Sequence, residues 1–299
     1  MKILITGVFG FIGQSLYQSL KHKYDVKGIG RDKKISKIKK KNNLLDNNIT
    51  NQNLIKLNFQ PDVILHCAGS GSVSKSYEDK KIDYDKNVRT SKEVLKFIEY
   101  LKKKPRVIIF SSAAVYGNNC NKNRKKLIPI SPYGKNKLTS EKIFKIKSKK
   151  EKFDLMILRF YSIYGKGLKK QLIWDVCEKI NNSMNVFFGS GNEIRSWINI
   201  IDVNRLIQFL IKKGSIKNQI LDISGNDVIK NEFLVKKLFK LSHLNKVPFF
   251  NKNNKKGDPI NQIFNNTKLK NLGWKPKINL SKGLNEYVQW YKKNLKKTK

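Results

Sequence analysis

Three glycines set three residues apart, all within the first thirteen positions, constrain this chain more than any other feature. Thr6-Gly7-Val8-Phe9-Gly10-Phe11-Ile12-Gly13 follows the apolar run Lys2–Thr6 and opens the segment Phe11–Lys21, whose apolar positions recur with helical spacing. A strand, a tight glycine turn and a helix in that order begin a βαβ unit of the kind that holds a dinucleotide. Gly7 permits the sharp turn. Gly10 lets backbone amides approach a pyrophosphate, and Gly13 lets the helix pack closely on the strand. The partial positive charge at the helix N-terminus then faces the phosphates. Phe9, Phe11 and Ile12 ride on the same turn and count with it as cofactor contacts.

The rest of the chain continues the alternation. Strands are expected at Tyr24–Ile29, Val63–Cys67, Arg106–Ser111 and Phe153–Phe160. Helices are expected around Leu54–Asn58 and at Asp83–Leu101 and Tyr133–Ser148. That order predicts an α/β fold with a Rossmann-type doubly wound parallel sheet. After about Tyr164 the alternation loosens, which predicts a smaller C-terminal substrate lobe. The expected division gives residues 1–165, with a return segment at about 197–224, to the dinucleotide domain. Residues 166–196 and 225–299 go to the substrate lobe. Lys33–Asn48 and Asn118–Leu127 are rich in Lys and Asn and read as solvated loops.

Composition narrows the function. The 299 residues are 39% apolar, enough for a sizeable core, and no apolar run is long enough to span a membrane. The net charge is +41, yet only seven of the 63 basic residues are arginine and the lysines are spread along the whole chain. Nucleic-acid recognition needs focused patches and favours arginine, so a dedicated RNA or DNA role is not expected. Cys67, Cys120 and Cys177 are odd in number and widely spaced, which fits a reducing, cytoplasmic setting with no disulfide and no metal site. The start of the chain lacks the shape of a secretory signal.

Tyr133 and Lys137 stand four residues apart, which puts both side chains on one face of a helix. A phenol with its ordinary pKa near 10 is a weak base at neutral pH. A lysine ammonium beside it favours the phenolate, so the pair is expected to act as a general base toward a hydroxyl group.

The glycine spacing, Ser111-Ser112-Ala113-Ala114-Val115-Tyr116-Gly117, and Ser131-Pro132-Tyr133 with Lys137 together resemble the extended short-chain dehydrogenase/reductases. Within that family the chain resembles the NAD-dependent epimerases and dehydratases, over nearly its whole length. The resemblance implies that Ser112 is the catalytic hydroxyl, with Ser111 the weaker candidate. It implies cofactor contacts from Asn48 and Ile49, from Cys67, Ala68 and Gly69, and from Asn87. The preceding His66 reads as structural.

The acid that usually accepts the adenosine ribose is Gly30 here. The following Arg31 would suit a 2′-phosphate, so NADP is possible beside NAD. Ser162 takes the place of an asparagine toward the substrate diphosphate. Arg195 is implied as a bidentate diphosphate clamp and Lys255 as a charged substitute for an arginine. Phe187 and Phe188 wall the nucleotide base or pack in a core, and Asp202 orients the lobe.

Dehydratases of this family carry an Asp-Glu pair after the catalytic hydroxyl; Ala113 and Ala114 cannot move protons. The implied activity is therefore nucleotide-sugar 4-epimerisation, similar to that of UDP-glucose 4-epimerases, by reversible hydride transfer through a 4-keto sugar. The alternative is an NADPH-dependent ketosugar reductase. A cofactor-sensing regulator and a basic RNA scaffold stand as other classes. Relatives pair as dimers through the two helices matching 83–101 and 133–148, so a homodimer is expected; Leu95, Ile98 and Leu101 form an apolar stripe that could serve it, although such a stripe more often faces the chain's own sheet.

Overall fold

Ile3, Leu4 and Ile5 are wholly buried, so the first strand, β1 (Lys2–Thr6), is covered on both faces, as its unbroken apolar run requires. The computed structural model describes residues 1–32, 43–119, 126–214, 218–253, 256–264 and 267–295. After β1 come α1 (Phe11–Leu20), β2 (Asp25–Gly30), β3 (Leu44–Asp46), α2 (Asn51–Ile55) and β4 (Val63–His66). Two short helices, α3 (Val73–Glu78) and α4 (Lys80–Tyr84), lead through a π turn at Asp85–Arg89 into α5 (Thr90–Tyr100). Then follow β5 (Arg106–Ser112), a 3-10 turn over Ala113–Asn119, α6 (Pro132–Glu151) and β6 (Leu155–Phe160). The remainder comprises β7 (Ser162–Tyr164), α7 (Gln171–Asn181), β8 (Val186–Phe187), β9 (Ile194–Asn199), α8 (Ile200–Lys212) and β10 (Ile220–Ile223). It ends with β11 (Asp227–Lys230), α9 (Asn231–Ser242), β12 (Phe249–Phe250), α10 (Thr267–Asn271) and α11 (Leu280–Leu295).

Seven strands form one parallel sheet in the order β10-β6-β5-β4-β1-β2-β3. The chain builds outward from β1 through β2 and β3, then crosses to β4 on the other side of β1. This reversal opens a crevice at the carboxyl ends of β1 and β4. On one face Leu16, Leu20, Leu206 and Leu210 of α1 and α8 pack on Ile3, Ile5 and Met156. On the other, Leu54, Val94, Ile98 and Phe144 of α2, α5 and α6 pack on Leu4, Ile64 and Ile157. A further core joins Tyr164, Phe187, Trp197, Leu234, Leu238, Leu284 and Tyr287, from β7 to β9, α9 and α11. Asp202, wholly buried at the start of α8, ties the C-terminal stretch down. Its carboxylate accepts from the backbone N–H of Lys277 at 3.0 Å and of Ile278 at 2.8 Å, and pairs with Arg205.

One expectation needs correction, and one open choice is decided. The helix expected over Asp83–Leu101 is interrupted by the π turn, where the hydroxyl of Thr90 donates to the carbonyl of Asp85 at 3.0 Å. The stripe of Leu95, Ile98 and Leu101 is only 6%, 0% and 6% exposed and belongs to the chain's own sheet-facing core. It is therefore not open to a second copy. Among the described residues, no helix is long and apolar enough to cross a membrane.

Candidate active site

The glycine turn lies at the mouth of the crevice. Gly7 has φ +72°, and a Cβ there would stand 2.7 Å from the backbone of Ala68, so β1 and the loop after β4 meet at contact distance. Gly10 caps α1 without any side-chain hydrogen bond, and the first turn of α1 holds no acid. Its free amides and dipole suit a pyrophosphate. Phe9, Phe11 and Ile12 are half-buried against the core beneath the turn. At the end of β2, Arg31 is exposed, and the N–H of Asp32 donates to the carboxylate of Asp46 at 2.9 Å. The N–H of Asn47 donates to the carbonyl of Gly30 at 2.9 Å, which brings exposed Asn48 and half-buried Ile49 to the same rim.

On the opposite side of the crevice, α6 presents the expected pair. The hydroxyl of Ser131 accepts from the N–H of Gly134 at 3.1 Å and Pro132 fills the first turn, which starts the helix just before Tyr133. The hydroxyl of Ser112 hydrogen-bonds the phenol of Tyr133. Lys137 Nζ lies 5.9 Å from the centre of the Tyr133 ring and donates to the carbonyl of Phe110 at 2.9 Å. A Cβ on Gly69 would stand 2.6 Å from Asn87 Oδ1 and 3.0 Å from Lys137 Nζ, so these three residues converge. Asn87 is buried, with its Nδ2 donating to the carbonyl of Asp83 at 2.9 Å and its Oδ1 left without a partner. An orphaned buried acceptor beside Gly69 and Lys137 is the kind of atom a bound cofactor or water satisfies.

Burial dominates the electrostatics. It pushes the Tyr133 phenol up to about 12, with Asp83 adding to the rise and the Ser112 hydrogen bond opposing it. It pulls Lys137 down to about 8, although Asp83 favours the ammonium. Desolvation of the phenolate therefore opposes the help expected from the charge of Lys137. Charge pairing was anticipated, but the larger penalty of desolvating a phenolate was not.

Ser111 is otherwise engaged: its hydroxyl donates to Glu141 at 2.6 Å, which leaves Ser112 as the hydroxyl at Tyr133. His66 is 4% exposed, with Nδ1 2.7 Å from the Thr6 hydroxyl and Nε2 3.2 Å from that of Ser91; burial lowers its pKa to about 3. A neutral, doubly bonded ring is a tie between elements. Cys67 is half-buried, and burial pushes its thiol up.

The substrate-side residues are less convergent. Ser162 is half-buried at the start of β7, beside Trp197 of β9. Arg195 turns its guanidinium onto the carbonyls of Ile194, Ile260 and Pro259 at 3.0, 2.9 and 2.8 Å. Both terminal nitrogens are engaged, so a diphosphate would meet only the N–H groups that remain. Lys255 lies outside the described residues. Phe187 is core, whereas Phe188 is 53% exposed.

The sequence reading missed two buried acids. Asp83, 2% exposed, accepts from the side chain of Asn136 at 2.8 Å. Glu141, fully buried, meets Ser111 and Arg159. The available signal for Glu141 was its place one helical turn past Lys137, on the same face.

The sequence model of the NAD dependent epimerase/dehydratase family matches residues 3–223. The chain belongs to that family. A putative UDP-glucose 4-epimerase of Methanocaldococcus jannaschii is 27% identical to this family member, over 98% of this chain and 99% of the relative. The crystal structure of a UDP-glucose 4-epimerase from Thermotoga maritima with UDP-glucose has a TM-score of 0.86 at 26% identity, covering 99% of this chain and 100% of the other. A UDP-glucuronic acid 4-epimerase from Bacillus cereus, solved with UDP-glucuronic acid and NAD, shares the fold at TM-score 0.89 and 24% identity, over 98% of this chain and 100% of that one.

Proposed function

We propose that this protein is an NAD-dependent nucleotide-sugar 4-epimerase acting on a UDP-hexose. The observation that carries the reading is the Tyr133 phenol, hydrogen-bonded by Ser112, with Lys137 behind it in the crevice of the glycine turn. Ala113 and Ala114 follow directly, where an elimination would need acids. The relatives named above are epimerases, which favours a closed redox cycle over a ketosugar reductase.

In this reading the amides of the first turn of α1, after Gly10, hold the pyrophosphate of NAD. Asn48 and Ile49 meet the adenine, and Asn87 and Gly69 border the nicotinamide end. Bound NAD supplies a cation that favours the Tyr133 phenolate and a carrier that takes and returns one hydride at C4 of the sugar. Tyr133 accepts the proton of the C4 hydroxyl and later gives it back. Lys137 and Ser112 lower the energy of the phenolate in between. Ser162 and Arg195 stand toward the diphosphate end of the substrate.

The protein is expected to work in the cytoplasm, where the unpaired Cys67 and Cys177 stay reduced, and as a homodimer through α4–α5 and α6. The test is incubation of the NAD-loaded protein with UDP-glucose and, separately, UDP-galactose. Interconversion is expected; conversion of neither overturns the reading. Cofactor preference is read from the two affinities: tighter NADP binding would give Arg31 the role of a 2′-phosphate ligand.

A further inference from the structure

We propose that Glu141 is the positioning residue of this active site: through Ser111 and Arg159 it fixes α6 against β5 and so sets the hydrogen bond between Ser112 and Tyr133. The inference rests on the epimerase reading for its kinetic arm only.

Tyr133, Lys137 and Glu141 stand at successive four-residue steps on the buried face of α6. Glu141 is wholly buried, and its carboxylate collects three donors. Ser111 Oγ and Arg159 Nε reach Oε1 at 2.6 and 2.9 Å, and Arg159 Nη2 reaches Oε2 at 2.6 Å. Arg159 is gripped from its far side as well. Its Nη1 donates to the Tyr116 hydroxyl at 2.8 Å, which in turn donates to the Asp222 carboxylate at 2.8 and 2.9 Å. Ser111, Arg159 and Asp222 are cross-strand neighbours on β5, β6 and β10. One chain of charge-assisted bonds therefore runs from α6 across three strands.

Stability alone does not call for such a device. A buried ion pair is often no more stabilising than apolar side chains of the same shape. What it adds is direction, because the two parallel bonds of a guanidinium to a carboxylate hold in one geometry only. A slip of α6 by one residue would move Tyr133 by about 1.5 Å, and misplacement near 1 Å at a reacting centre can lower a rate about a hundredfold. Ser111 and Ser112 are adjacent on β5, so their side chains leave on opposite faces. Anchoring Ser111 to Glu141 therefore fixes the end of β5, where the strand runs out at Ser112 and hands it to the Tyr133 site.

Two variants test this. Ser111→Ala removes one hydroxyl–carboxylate bond and leaves the ion pair and the charge around the site unchanged. Glu141→Gln also removes a charge that acts on Lys137, alongside Asp83, Cys67 and Lys170. Three quantities are read: kcat against KM with the UDP-hexose, the melting temperature, and the tyrosinate absorbance of the NAD complex against pH. The absorbance is taken as the difference from Tyr133→Phe, which isolates the one phenol and needs no substrate. Ser111→Ala is expected to lower kcat roughly tenfold, to leave KM within about twofold, and to move the phenol titration to higher pH. Glu141→Gln is expected to shift further in the same direction and to melt earlier. If Ser111→Ala leaves both kcat and the titration as in the wild type, the proposal is overturned, whatever happens to the melting temperature. If Glu141→Gln does not fold, Ser111→Ala decides alone. If the wild type turns over no UDP-hexose, the titration still decides the positioning role, so the two readings fail separately.

Discussion

Lys137 is buried and Tyr133 half-buried in the state the reaction must change, and desolvation makes each resist charging. For Tyr133 this means a reluctant base, so removing the hydroxyl should remove the chemistry and little else. Tyr133→Phe should lower kcat by about 10²–10⁴-fold while NAD affinity, measured by fluorescence titration, stays within a few-fold. For Lys137 the same burial acts on stability. Its folded pKa of about 8 lies below the ordinary lysine value of 10.5, so between those values the unfolded chain binds more protons than the folded one. Stability then rises with pH through that window, and the full penalty of burying the ammonium is present below it. Lys137→Met should therefore be inactive yet more stable at neutral pH, by about 1–3 kcal/mol in urea midpoints. That gain should shrink as the pH approaches 10.5. A variant that is destabilised at neutral pH would show that the bond to Phe110 outweighs the buried charge. These two residues were legible because a four-residue offset is a helical signal with a chemical meaning. Glu141 was not, since an acid among lysines reads as a solvated charge until its burial is known.

At the scale of elements, strands that are covered on both faces announced themselves as continuous apolar runs, and β1, β4, β5 and β6 stand within one or two residues of expectation. The π turn at Asp85–Arg89 could not be read, because it depends on side-chain bonds such as that from Thr90 to Asp85 rather than on apolar spacing. Nor could the buried face of α6, where Lys137, Ser140 and Glu141 stand in positions an ordinary helix would give to apolar residues. His66 shows how such elements are held together. Its ring joins Thr6, at the end of β1, to Ser91 in α5, and burial keeps it neutral. A histidine whose folded pKa is lowered contributes stability that is complete above its unfolded value of 6.5 and is lost as the pH falls toward about 3. The slope should be about 1.4 kcal/mol per pH unit. Urea unfolding at several values of pH, in the wild type and in His66→Gln, checks this. The variant should be less stable at neutral pH and should lose less between neutral and acid conditions. Parallel pH dependences in the two proteins would remove His66 as the source.

For the whole molecule the excess of cations matters most where two copies would meet. The apolar stripe of Leu95, Ile98 and Leu101 belongs to the chain's own core, and the outward faces of residues 80–100 and of α6 carry exposed Lys86, Arg89, Lys92, Lys96, Lys135 and Lys142, with Glu93 and Glu99 paired to Lys96 and Lys147. Around a two-fold axis the same patch faces itself, so these charges oppose one another. Exposed Ile82, Tyr84 and Ile146 remain on those elements to supply contact area. An association built this way is apolar in its attraction and electrostatic in its opposition. Salt shortens the reach of the second without weakening the first, from about 10 Å at 0.1 M to about 3 Å at 1 M. Sedimentation equilibrium at one protein concentration should therefore return a mass near 34.7 kDa at low ionic strength and rise toward twice that value as salt is added. Replacing Lys92 and Lys142 with glutamate should bring the rise to lower salt. A mass that falls with added salt would mean that opposite charges, such as Glu93 and Glu99 on one copy against lysines on the other, hold the copies together, and would overturn this account.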